Sequence, residues 1–175
     1  MKLNKLIAIA TISLLSGGIS LAQKALNLED IVAGNIIQTK GIGSMTWLKD
    51  GERYSRLENN KQTGGTDIVA YRAKDNSREV IIPSSLLTDK STGRPIPVRS
   101  VSWSADNEKV LIYNNTRRVW RYDTRGDYWV LNLKDGALRQ LGKGMPESSM
   151  MFAKFSPDGT RVAYVSNNNI YVEDI

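Results

Sequence analysis

The chain has 175 residues, a formal net charge of +6 at pH 7 and 41% hydrophobic residues, with neither histidine nor cysteine. Without histidine it can build no Ser-His-Asp triad and no His-ligated metal site, and without cysteine no thiol nucleophile or disulfide. The basic excess is spread along the sequence, so it reads as solvated surface and not as a nucleic-acid footprint.

Residues 1–22 are set aside first. "MKLNK" is a short basic start, residues 6–22 are apolar, and Ser20 and Ala22 place small residues at the minus-three and minus-one positions. That is the pattern of a cleavable signal peptide, so an exported protein, periplasmic or secreted, is expected. The run is broken by Ser16-Gly17-Gly18, which argues against a membrane-spanning helix. Residues 23–43 form an amino-terminal segment before the repeats begin.

Three segments then align on an aromatic residue. Trp47, Trp103 and Phe155 are each followed three residues later by Asp50, Asp106 and Asp158, then by Gly51, Asn107 and Gly159, then by Arg53, Lys109 and Arg161. The separations are 56 and 52 residues, in the range of propeller or solenoid repeats. Asp-Gly and Asp-Asn supply the positive φ angles of tight hairpin turns, so the aspartates are read as turn residues rather than as catalytic or metal-binding groups. The runs after the turns, "KVLIY" and "RVAYV", are β-branched and aromatic, as strands prefer. A second strand pair follows in each complete unit: "TDIVAY" with "SREVII", and "DYWVLNL" with "ALRQL".

Four strands joined by short turns make one blade, so the fold class is all-β: a partial β-propeller of about two and a half four-stranded antiparallel blades. Blade 1 with its linker is assigned to 44–98, blade 2 to 99–145 and an incomplete blade 3 to 146–175. Further blades are expected to follow residue 175. The repeated aromatics are read as core between blades. Ser84–Ser100 and Gly142–Met151 read as irregular crossings between blades. The acid pair Glu173-Asp174 reads as surface.

Blade 3 joins its second and third strands through Ser166–Asn169. Blade 2 uses Asn114–Gly126 for the same connection, thirteen residues with four arginines and one tryptophan. Long excursions in compact repeat folds are functional or disordered. A guanidinium can make two parallel hydrogen bonds to a peptide end. The plainer reading is a solvated basic loop whose arginines pair with Asp123 and Asp127.

"LNLEDIVAGN" followed by "GIGSMTWLKDGERYSRL", then "VWRYDTRGDYWVLNL" and "FSPDGTRVAYVSNNNIYV", resembles in order the mature start of dipeptidyl peptidase IV-like enzymes of the prolyl oligopeptidase family, in their bacterial exported form. The resemblance implies an amino-terminal propeller joined to a carboxy-terminal α/β-hydrolase domain, an enzyme removing amino-terminal dipeptides by Ser-His-Asp acyl transfer, and dimerisation of the full-length enzyme. It implies that the propeller gates the site and that Arg121, next to Trp120, contacts the peptide substrate. The usual residues after that Trp-Arg pair, His-Ser or a close variant, are here Tyr122-Asp123. No catalytic residue, cofactor or metal site is expected in this chain, which has no G-x-S-x-G nucleophile elbow and no G-x-x-x-x-G-K-[ST] phosphate loop. The alternative function is a non-enzymatic periplasmic propeller acting as a binding or scaffolding module.

Overall fold

The computed structural model describes residues 27–32, 41 and 43–175. The proposed signal peptide lies outside the described residues. Two units are distinguished, 1–41 and 42–175. In the first, the described residues form one short helix, α1 (Leu28–Val32).

The second unit is built from three antiparallel meanders. The first sheet runs β1 (Met45–Trp47), β2 (Arg53–Asn59), β3 (Thr66–Arg72) and β4 (Arg78–Ile82), in that spatial order. The crossing that follows is more ordered than its composition suggests. It holds a 3-10 turn (Ser84–Leu87) and a two-stranded ribbon of β5 (Thr88–Asp89) and β6 (Arg94–Pro95), and it seats Leu87 fully buried in the core. The second sheet is β7 (Ser100–Trp103), β8 (Lys109–Val119), β9 (Tyr122–Asn132) and β10 (Leu138–Gln140); the third is β11 (Met151–Phe155), β12 (Arg161–Ser166) and β13 (Asn169–Asp174). These are propeller blades, two with four strands and one with three among the described residues.

The first hairpin of each blade is closed by its aspartate as a turn residue. Asp50, Asp106 and Asp158 each accept from the backbone N–H two residues on, at 2.9, 2.9 and 3.0 Å. Gly51, Asn107 and Gly159 then sit at φ 70°, 57° and 67°, the left-handed region that glycine and asparagine tolerate. In blades 2 and 3 a serine completes the turn: Ser104 and Ser156 donate to the aspartate and accept from the backbone N–H of Lys109 and Arg161.

The core lies between sheets. Successive strand residues point to opposite faces. On β8, Val110 and Ile112 therefore join Ile68, Ile82 and Leu87 on the blade 1 side, while Leu111 joins Val162 and Tyr164 on the blade 3 side. This double burial explains the unbroken apolar run "VLI". Each fully buried Ile or Leu contributes about 1.5–3 kcal/mol relative to exposure.

The repeated aromatic position behaves unevenly. Trp103 packs into the cluster shared with blade 1, and Phe155 into the cluster shared with blade 2. Each covers the face turned toward the preceding blade. Trp47, in the first described blade, faces no sheet on that side among the described residues and is 62% exposed, resting edge-on against Tyr54 at 5.9 Å. The expectation of core between blades is met at Trp103 and Phe155, while Trp47 has no described sheet to meet on that side. The expectation for Glu173 also changes: it is half-buried and accepts from the backbone N–H of Gly142 at 2.9 Å and from the Tyr164 hydroxyl at 3.1 Å.

Candidate functional site

Blade 2 differs from its neighbours in its middle hairpin. In blade 3, β12 and β13 meet across Asn167 and Asn168, both in the left-handed region. In blade 2 the two strands are eleven residues each and run on past the core, pairing to Val119 and Tyr122. The span Asn114–Gly126 is therefore a paired arm, not a thirteen-residue loop. Backbone donors and acceptors find partners in each other even where side chains bury little. Its two-residue turn is Trp120-Arg121, with Trp120 at φ 61°, the positive φ that such tight turns need at their first central residue.

The arm is anchored at its root. Gly126 exchanges two backbone hydrogen bonds with Met150 of the blade 2–3 crossing, at 3.0 and 3.1 Å. Asp127, 7% exposed, accepts from the Asn115 amide at 2.7 Å and from the backbone N–H of Ser148 at 2.8 Å. The Tyr113 hydroxyl donates to the Asp123 carbonyl at 2.9 Å, and its ring stacks on Tyr128 at 4.8 Å. Burial first, then the neighbouring Tyr128 and Asp123, pushes the Tyr113 hydroxyl up to about 12, so it remains a donor across the neutral range. Blade 1 repeats the anchor: Asp67, also buried, accepts from the Asn60 amide at 3.0 Å and from the backbone N–H of Ser84 at 2.7 Å. This buried aspartate at the start of a third strand was not picked out from sequence. The recurring signal is an Asp just before each apolar run, in "TDIVAY" and "GDYWVL".

Arg121 is exposed at the tip, and among the described residues its guanidinium has no hydrogen bond or ion pair; its carbonyl accepts from Arg118 at 3.4 Å. Trp120 beside it is 93% exposed and Tyr122 is 72% exposed. The acids expected to neutralise the arm are engaged elsewhere. Asp123 pairs with Arg99 at 3.3 Å, and Asp127 is held by Asn115 and Ser148. That corrects the simple picture of arginines paired with Asp123 and Asp127. An open cleft of about 490 Å³ lies at the arm's root, lined by Pro97–Arg99 and Asn114–Thr116. The carboxamide oxygen of Asn114 itself is buried away from solvent, with no partner among the described residues. The arm is thus held at its root and carries exposed guanidinium and aromatic surface at its tip.

Residues 104–175 match the family model described as "Dipeptidyl peptidase IV (DPP IV) N-terminal region". The chain is 25% identical over 169 residues to a probable dipeptidyl-aminopeptidase B of Aspergillus terreus, covering 91% of this chain and 18% of that protein. It is 27% identical over 152 residues to dipeptidyl aminopeptidase B of Saccharomyces cerevisiae, covering 81% and 17%. The crystal structure of Porphyromonas gingivalis dipeptidyl peptidase 4 superposes with a TM-score of 0.68 at 20% identity, covering 87% of this chain and 20% of that one. The chain resembles the amino-terminal propeller region of dipeptidyl peptidase IV-like proteins, over residues 104–175 in the family model and over most of the chain in the relatives. The structural likeness bears on the fold, and the sequence matches carry the resemblance. This propeller region spans less than a fifth of the length of the curated relatives it matches.

Proposed function

We propose that this propeller region belongs to an exported serine exopeptidase that removes amino-terminal dipeptides, and that it narrows access to the active site and anchors the peptide. Ser-His-Asp chemistry would be supplied by an α/β-hydrolase domain outside these 175 residues, and the full-length enzyme would be a homodimer. Export rests on the signal-like residues 1–22. Arg121 is the anchoring group, with Trp120 beside it. One observation carries this reading: an arm clamped at Gly126 and Asp127 holds the Arg121 guanidinium at its tip with no partner among the described residues.

The test is steady-state kinetics of the full-length protein on a chromogenic dipeptide amide. Losing a charge-assisted hydrogen bond from Arg121→Ala lowers kcat/KM by about 10- to 100-fold, mostly through KM. Arg121→Lys restores part of it, because an ammonium keeps the charge and loses the planar fork. An active wild type with unchanged constants in Arg121→Ala would remove the anchoring role.

A further inference from the structure

We propose that Arg117 and Arg125 form a carboxylate-binding pair on the same arm, which makes the protein favour peptides carrying an acidic group. The inference rests on the peptide-anchoring reading above and adds a substrate class to it.

Arg117 and Arg125 are Cα partners in the β8–β9 ladder. Residues directly opposite on an antiparallel pair share one face, with Cβ atoms about 4.5–5.5 Å apart, and like charges in that position destabilise the pair. Register shifts flank the position on both sides, between Asn114 and Arg117 and between Arg117 and Arg118. Such bulges re-aim side chains and fix the local bend. Arg125 is half-buried and Arg117 exposed, and among the described residues neither has a hydrogen bond or an ion pair.

The same chain supplies acids to another cross-strand arginine pair. In blade 1, Arg53 and Arg72 are also cross-strand partners. There each has an acid: Arg53 meets Asp50 at 2.7 Å and Glu79 at 3.2 Å, and Arg72 meets Glu52 at 3.7 Å. On the arm the two nearby carboxylates, Asp123 and Asp127, are turned to other donors. Two guanidinium forks rising from directly opposed positions, with no acid partner among the described residues, can meet an incoming carboxylate. The pair sits on the third rung from the turn, below Val119–Tyr122 and Arg118–Asp123. At about 3.3 Å per strand residue that is roughly 7–10 Å from Arg121, a span of two or three residues of an extended peptide.

The experiment measures affinity of the full-length protein for peptides that differ in one group. One pair differs by Asp or Asn in the third to fifth residue with amidated carboxyl ends; the other differs by a free or amidated carboxyl end. Wild type binds the acidic member about tenfold more tightly at low salt, a preference of the size charge-assisted contacts give. In Arg117→Gln and in Arg125→Gln the acidic peptide falls to the affinity of its neutral twin, whereas Arg121→Gln weakens both alike. Preference in the first pair assigns the site to an acidic side chain, and in the second to the terminal carboxylate. Both variants also keep or raise the thermal midpoint, since each removes a like-charge contact. Equal binding of acidic and neutral peptides by wild type overturns the pair while leaving peptide anchoring intact. No binding of any peptide overturns both readings. A preference that survives in both variants, or a lowered midpoint in both, also overturns the pair.

Discussion

Gly126 marks the point where the arm leaves the blade, and its missing side chain is required there. A Cβ would lie 2.4 Å from the Tyr113 ring and 2.6 Å from the Asn114 carbonyl oxygen. Gly126→Ala should therefore lower stability by about 1–3 kcal/mol, the range for overpacking a tight site, measurable by urea unfolding. An unchanged midpoint would show that the ring moves freely. Asp127 works one residue further on, where two donors converge on a buried carboxylate. Replacing it by alanine strands the backbone N–H of Ser148 and should cost about 2–3 kcal/mol. It should also raise amide exchange along Asn115–Arg125, because the arm would lose its clamp while the sheets keep their cores. Exchange confined to the rest of the blade would contradict that assignment.

The arm stands or falls as an element. If its pairing serves only to present Trp120 and Arg121, then replacing Asn115–Arg125 with a two-residue Asn-Gly turn should leave the sheets folded. Far-ultraviolet circular dichroism would be retained while peptide binding by the full-length protein is lost; retained binding would move the anchor elsewhere. This element was also the least legible in the sequence. The blade turns could be read directly, since Asp-Gly and Asp-Asn chemistry is local and its carboxylate-to-N–H bonds form within a few residues. The arm carries Asn and Asp, which strands disfavour, beside its four arginines, and it lies beyond the core, so no alternating burial pattern marks it. Its pairing comes from the opposite strand, which a single-strand pattern does not reveal. Arg121 and Trp120 were singled out by their neighbours in the sequence. The uncompensated Arg117–Arg125 rung required the register.

At the scale of the described sheets, the repeated aromatic position differs in burial: Trp103 and Phe155 face a preceding sheet, and Trp47 faces none among the described residues. A sequence repeat shows equivalence of position, and only the arrangement of sheets shows the difference. The turn aspartates are, by contrast, equivalent in all three blades, and this makes acid stability a property of the whole unit. Asp50 is held down to about 2, chiefly by the Arg53 side chain, Asp106 by the Ser104 hydroxyl and Asp158 by the Ser156 hydroxyl, with backbone N–H groups adding to each. In the unfolded chain an aspartate titrates near 4. Because the folded value is the lower one, the unfolded state binds more protons between these values, and the stabilisation is present in full above about pH 4. It fades as pH falls through about 2. The thermal midpoint should therefore be flat from about pH 6 to 5 and drop steadily below about pH 4. A triple variant, Asp50→Asn, Asp106→Asn and Asp158→Asn, keeps side chains suited to the turns but removes their titration. Its midpoint should start lower at pH 6 and decline less steeply on acidification, the two curves converging near pH 2. A parallel decline in both proteins would place the acid sensitivity in other carboxylates and not in the hairpins that open each blade.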